Sequence, residues 1–278
     1  MTLLLIFLLV GIFASGLVFV LAGMYTNPYL YFALPGMIIA GFLGAALLFA
    51  LIYFPYSLCI DTKKPVKKPN LFILWFVDEF VDIALLLNRV KIHVTGLELL
   101  PKENFLIISN HRSAWDHPVI MKVLKRRHIL CIMKPETTKI LVGGPSVHRA
   151  GFIAIDRDDP MKALKSIVRA SNYLKEYPVC ISLSPEGTRA KDLNLLPFHN
   201  GSLKAAVKAN APIVVSTLQN CEVIRKRGPL HRTDVYFDII KVIRPEEYQG
   251  VSTVEVGDLA HKAMEDHLLA HDDRQIRE

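Results

Sequence analysis

The chain divides by its pattern of apolar and polar positions. Residues Leu3 to Met24 carry no charged side chain, and after Tyr25-Thr26-Asn27-Pro28 a second uncharged stretch runs from Tyr29 to Ile60. Each reaches the length of about 20 apolar residues that a helix needs to cross a hydrocarbon core. Asn27-Pro28 is a turn signal, and so short a link predicts a transmembrane helical hairpin with both ends on one side. A cleaved signal peptide fits the first stretch less well, because a basic lead-in is missing and the apolar run is too long. Asn70 to Asn88 predicts a third apolar helix, in which Asp78, Glu79 and Asp82 share a polar face. Three central carboxylates, at about 2.5 to 3.5 kcal/mol each, argue against a third crossing. This helix is expected either in the membrane interface or packed on the domain after it.

From about residue 90 the pattern changes to short apolar runs alternating with helical periodicity. The runs predict strands at Lys91–Val94, Phe105–Ser109, Ile129–Met133, Phe152–Ile155, Val179–Leu183, Ile213–Leu218 and Val235–Val242. Several are continuously apolar, as expected where helices cover both sheet faces. Helices are predicted at Pro118–Lys125, Pro160–Glu176, Ser202–Ala209 and from about Thr253 onward. The expected fold is α/β, a mixed, mostly parallel sheet flanked by helices and preceded by the hairpin. The organisation reads as a hairpin over 1–60, a basic linker and interfacial helix over 61–89, and an α/β domain over 90–278.

Charge refines this picture. Lys63, Lys64, Lys67 and Lys68 come directly after the second apolar stretch, while the hairpin turn has no cation. The positive-inside rule then places the α/β domain on the cytoplasmic face. The lysines are either a topology signal alone or also a contact to anionic headgroups. The net charge of +7 suits an anionic membrane surface or anionic substrates, and no nucleic-acid motif accompanies it. The four cysteines are scattered, with neither metal spacing nor a disulfide framework, so no metal is expected.

The chemistry concentrates after the Phe105–Ser109 run, in Asn110-His111-Arg112-Ser113-Ala114-Trp115-Asp116. His111 falls where the strand ends, and Asp116 in the first turn of the next element. A carboxylate so placed holds the imidazole in one tautomer while the other ring nitrogen faces a hydroxyl. Three further constellations also come after strands: Lys134-Pro135-Glu136, then Gly151 to Asp156-Arg157, then Ser184-Pro185-Glu186-Gly187-Thr188-Arg189. Ligands of open α/β sheets bind beyond the carboxyl ends of strands. A base, its orienting carboxylate and three cations (Lys134, Arg157, Arg189) suit a hydroxyl nucleophile on a phosphate-bearing molecule. Gly187 lets the backbone approach a ligand closely. The cluster Arg225-Lys226-Arg227 reads as a solvated loop, and His117 is expected to point away from the site.

These motifs resemble the glycerolipid acyltransferases, specifically the 1-acyl-sn-glycerol-3-phosphate acyltransferases of the PlsC type. The family's NHxSxxD motif matches Asn110 to Asp116, its glycine-led run into I-D-R matches Gly151 to Arg157, and P-E-G-T-R matches Pro185 to Arg189. A fourth motif, P-I-V-P, matches Pro212-Ile213-Val214 but has Val215 in place of the second proline. The resemblance covers roughly residues 90 to 220. It implies transfer of an acyl group from acyl-CoA or acyl carrier protein to the sn-2 hydroxyl of lysophosphatidate at a lipid bilayer, with no other cofactor. His111 would be the base and Asp116 its orienter. Asn110, Ser113, Lys134, Arg157, Glu186, Gly187, Thr188 and Arg189 would contact the substrates, with Glu186 on an arginine or on the acceptor's glycerol. Backbone N–H groups of the His-Asp turn or near Gly187 would stabilise the oxyanion. Glycerol-3-phosphate or another lysophospholipid is an alternative acceptor. A hydrolase using the same pair, or a non-catalytic membrane scaffold, is the reading from another class.

Overall fold

A computed structural model describes residues 2–156, 159–190 and 192–276. It divides into two compact units, Met1–Asp61 and Thr62–Glu278.

The first unit is a helical hairpin. Helix α1 spans Thr2–Leu21, and helix α2, Leu34–Leu58, comes after a 3-10 turn at Pro28–Ala33. The Asn27 side chain caps that turn by accepting the Tyr29 N–H at 3.1 Å. Both helical stretches are long and apolar enough to cross a membrane. They cross at glycines: a Cβ on Gly11 would sit 2.7 Å from the Phe42 nitrogen, and one on Gly41 would sit 2.9 Å from the Gly11 Cα. Small residues at such a crossing let two backbones approach, as packing in lipid requires. Phe7 packs nearby, against Phe42 and Phe49.

The second unit opens with the basic linker, which lies against the α/β core. His148 Nε2 donates to the Lys64 carbonyl at 2.9 Å, the Tyr173 hydroxyl to the Val66 carbonyl at 2.9 Å, and Asn70 N–H to the Ala150 carbonyl at 3.0 Å. Helix α3, Leu71–Leu87, is capped by the Asn70 side chain. Its three acids are buried, and the helix packs on the α/β core: Glu79 pairs with Lys125, and Asp82 with Lys122 and Lys125. Residues 62–89 fall in one compact unit with the α/β fold.

Seven strands form one sheet in the order β1-β7-β6-β2-β5-β3-β4. They are β1 Val90–Thr95, β2 Leu106–Ser109, β3 Ile129–Met133, β4 Ile153–Ala154, β5 Cys180–Leu183, β6 Ile213–Gln219 and β7 Thr233–Ile243. Every pairing is parallel except β6 with β7. The central strands β2 and β5 are buried along their whole length, which explains their unbroken apolar sequence.

Helix α4, Asp116–Val123, begins two residues before the predicted start, because Asp116 itself lies in its first turn. Helix α5, Gly143–Ala150, was not expected: Gly143-Gly144-Pro145 reads as a loop, but a Cβ on Gly144 would sit 2.3 Å from the Thr138 carbonyl oxygen. Here glycine is needed for close approach. Helix α6 spans Pro160–Glu176, with Asp159 capping it. The predicted Ser202–Ala209 helix divides into a 3-10 turn, Asn200–Leu203, and α7, Lys204–Ala209. The last helix, Thr253–Ala270, starts at a Ser252 cap and ends before a tail that returns to the sheet.

Candidate active site

Strand order assembles the site. β2 lies between β6 and β5, with β3 and β4 beyond, and all five run the same way. Their carboxyl ends therefore share one edge. It receives Asn110 and His111 from β2, Ser184 to Arg189 from β5, Lys134 from β3 and Asp156 from β4. Arg157, expected at the end of β4, lies outside the described residues.

The His-Asp pair forms as expected. His111 Nδ1 donates to Asp116 Oδ2 at 2.8 Å. The same oxygen accepts the backbone N–H of Arg112 at 2.8 Å and of Ser113 at 2.9 Å. Asp116 is fully buried, whereas the His111 side chain is 16% exposed. An ionised carboxylate only accepts, so a ring hydrogen sits on Nδ1, and in the neutral ring the lone pair is then on Nε2.

Three residues expected on the substrates instead hold the scaffold. Asn110 is 1% exposed, and its amide spans to β6, with Nδ2 donating to the Leu218 carbonyl at 2.9 Å and Oδ1 accepting the Leu218 N–H at 2.7 Å. Ser113 Oγ accepts the Trp115 N–H at 3.2 Å and helps close the turn. Glu186 is 2% exposed, and its bonds go to backbone rather than to an arginine. Oε1 accepts the His111 N–H at 2.6 Å, and Oε2 accepts the Leu196 N–H at 2.9 Å. Burial raises its carboxyl above the usual range, opposed by these two N–H groups. A buried polar group needs such partners, which explains the fixed motif positions physically.

The other expected contacts lie along the rim. Gly187 takes φ +76° after the Pro185-Glu186 turn, a backbone that favours glycine. Thr188, Arg189 and Lys134 are exposed. Among the described residues, neither Lys134 nor Arg189 has an ion-pair partner. The Arg225–Arg227 cluster is a short helical turn on the β6–β7 connection, which leaves the same edge.

Two neighbours of the pair were not expected. The His117 ring lies 6.0 Å from that of His111, with Nδ1 bonded to Ser182 Oγ at 3.0 Å. Burial, then the His111 ring and Arg189, lower its pKa to about 4, so it stays neutral. The helical turn of α4 brings it back under the site, which sequence adjacency to Asp116 does not reveal. The second is Arg112, at a variable position of the motif. Its guanidinium is held by the Gln275 side chain at 2.6 Å and by the Leu193 carbonyl at 2.5 Å.

An oriented imidazole and two exposed cations, Lys134 and Arg189, thus come from the carboxyl edge of one set of parallel strands, an arrangement suited to a hydroxyl-bearing anionic ligand. Residues 91–218 match the family model described as Acyltransferase. The chain is 25% identical over 177 residues to the 1-acyl-sn-glycerol-3-phosphate acyltransferase of Salmonella typhimurium, covering 63% of this chain and 71% of that one. It is 27% identical over 180 residues to the Escherichia coli protein of the same description, over 63% and 71% of the two chains. To the human 1-acyl-sn-glycerol-3-phosphate acyltransferase alpha it is 32% identical over 129 residues, 46% of this chain and 45% of that one. Among solved structures, the 1-acyl-sn-glycerophosphate (LPA) acyltransferase PlsC of Thermotoga maritima superposes with a TM-score of 0.62 at 22% identity, over 83% and 91% of the two chains. At that identity the likeness establishes the fold.

Proposed function

We propose that this chain is a membrane-bound acyltransferase that moves an acyl group from a thioester, acyl-CoA or acyl carrier protein, to the sn-2 hydroxyl of lysophosphatidate, giving phosphatidate. The observation that carries the reading is His111 held by Asp116 at the strand edge that also presents Lys134 and Arg189. The names of the relatives supply the acceptor.

His111 Nε2 takes the hydroxyl proton as the acceptor oxygen attacks the thioester carbonyl. Asp116 stabilises the imidazolium that forms. Collapse of the tetrahedral intermediate breaks the C–S bond, and the imidazolium returns its proton to the departing thiolate. The acceptor supplies the nucleophile, so neither an acyl-enzyme nor a further cofactor is called for. Lys134, Arg189 and, from its motif position, Arg157 bind the acceptor phosphate. Oxyanion donors come from the turn after Gly187: the amides of His111, Arg112 and Ser113 already serve Glu186 and Asp116. Among the described residues, the N–H groups of Thr188 and Arg189 make no hydrogen bond. General base catalysis supplies about 10²–10⁴-fold, and positioning of two bilayer-borne substrates supplies much of the rest. The hairpin keeps the domain, on the cytoplasmic face, beside those substrates.

The test is incubation of the detergent-purified protein with lysophosphatidate and oleoyl-CoA, measuring free CoA and phosphatidate. His111→Ala is expected to cut turnover by about 10²- to 10⁴-fold, the worth of general base catalysis, leaving a small residual rate. A His111→Ala protein as active as wild type would overturn the mechanism.

A further inference from the structure

The tail after the last helix lies outside the family domain and makes specific bonds to the edge of the site. It has three anchors. Arg274 Nη1 donates to the buried Asp238 at 2.9 Å, and its guanidinium stacks over the Tyr236 ring. Gln275 Nε2 donates to Glu222 Oε1 at 2.6 Å and to Asn220 Oδ1 at 3.1 Å. Ile276 N–H donates to the same Asn220 oxygen at 2.9 Å. Asn220, in the left-handed region at φ +70°, returns its Nδ2 to the Arg274 and Asp234 carbonyls at 3.0 Å.

The other end of the Gln275 amide reaches the catalytic turn. Its Oε1 accepts Arg112 Nη1 at 2.6 Å. Arg112 Nη2 holds the Leu193 carbonyl, in the segment just beyond Arg189. The Arg112 backbone N–H meanwhile supports Asp116 Oδ2, the oxygen that orients His111. One buried amide thus joins the end of β6, the tail and the turn carrying the base. Its polarity matters: oxygen faces a cation, NH2 faces a carboxylate. A carboxylate at 275 would repel Glu222, and a cation would repel Arg112.

We propose that Gln275 is a positioning residue for acyl transfer, acting through Arg112 on the Asp116–His111 turn. The proposal rests on the acyl-transfer reading for its kinetic consequence, but the linkage itself does not.

The experiment compares wild type, Gln275→Ala, Gln275→Glu and the double variant Gln275→Glu/Glu222→Gln as full chains in detergent. Each is assayed for kcat and for KM of lysophosphatidate, and by hydrogen exchange of the 109–117 peptide. Gln275→Ala should lower kcat by about tenfold, the scale of one lost charge-assisted hydrogen bond, with KM little changed. Exchange at the Arg112 and Ser113 amides should accelerate. Gln275→Glu should be impaired as well, and the double variant should recover in part: the exchanged pair restores an acceptor for Arg112 and a donor opposite it, while the Asn220 oxygen still loses its Gln275 donor. Unchanged kcat and exchange in Gln275→Ala, a change confined to KM, or a double variant no better than Gln275→Glu would each overturn the proposal. Wild type unable to acylate lysophosphatidate would count against the functional reading, and hydrogen exchange would still decide the linkage.

Discussion

Replacing Asp116 by asparagine separates two jobs of one carboxylate. Its Oδ2 receives three N–H donors, two of them backbone groups that cannot turn away. An amide NH2 in that place would face donors only, so the asparagine oxygen takes it and the NH2 takes the position of Oδ1. The imidazole therefore keeps its Nδ1 hydrogen and its Nε2 lone pair. What disappears is the negative charge beside the imidazolium formed in the transition state. A unit charge pair about 4 Å apart is worth about 4 kcal/mol at an effective dielectric of about 20, equivalent to about 10³-fold in rate. General base catalysis as a whole sets a ceiling of about 10⁴-fold. The expected fall in kcat is about 10²- to 10³-fold. The Oδ1 position is buried without a hydrogen-bonding partner among the described residues, so the new NH2 also costs about 1–3 kcal/mol of stability, read as a lower unfolding midpoint. The kinetic assay is CoA release from oleoyl-CoA at saturating lysophosphatidate, with phosphatidate quantified in parallel. Because Asp116 acts through His111, the His111→Ala/Asp116→Asn protein should be no slower than His111→Ala alone. Independent, multiplying losses in that double variant, or wild-type turnover in Asp116→Asn, would refute the reasoning.

Arg189→Ala should raise KM for lysophosphatidate by about 10- to 100-fold, the worth of one charge-assisted bond to phosphate. Any acylation of monoacylglycerol, which has no phosphate, should be unchanged. Equal losses on both acceptors would remove Arg189 from the phosphate site. A second expectation concerns Asp78, whose pKa burial, with help from Asp82 and Glu79 and against Lys125, raises from 3.8 to about 7. Its folded pKa exceeds the unfolded one, so its contribution to stability is complete below about pH 4 and is lost as pH rises through about 7. The loss is at most about 4 kcal/mol. Asp78→Asn should flatten stability over that window and exceed wild type at pH 8 in denaturant unfolding. Parallel pH profiles would show that the helix tolerates the charge.

Most of the sheet was legible because β2, β3, β5 and β6 are short, continuously apolar runs with few competing readings. Their residues also lie on one edge for a reason the sequence carries: each motif comes directly after a strand, and parallel strands share their carboxyl ends. Partner identity was not legible. Asn110, Ser113 and Glu186 belong to the motifs as firmly as His111 does, and residue type alone does not say whether a polar side chain meets substrate or backbone. Burial decides it, since at 1–2% exposure Asn110 and Glu186 must spend their hydrogen bonds internally. The bonds that tie Asn110 to β6 and Glu186 to the end of β2 span 108 and 75 residues. No local pattern encodes such pairings. The same limit hid Gln275, which acts 163 residues from Arg112.

The motif residues therefore fall into two physical groups. Lys134 and Arg189 are exposed and the His111 ring is partly so, which leaves their polar atoms open to a ligand. Asp116, Asn110, Ser113 and Glu186 point inward: Asp116 and Glu186 bond His111 directly, and Asn110 and Ser113 hold the turn that carries it. The inward group is the more demanding, because a half-satisfied buried network costs more than an apolar core. A base that takes its proton from a lipid hydroxyl must be set within a few tenths of an ångström. A turn of seven residues has no core of its own to provide that. Glu186 on the His111 amide, Asn110 on β6 and the Gln275–Arg112 link supply it from three directions, so the His111 imidazole inherits the rigidity of the whole sheet.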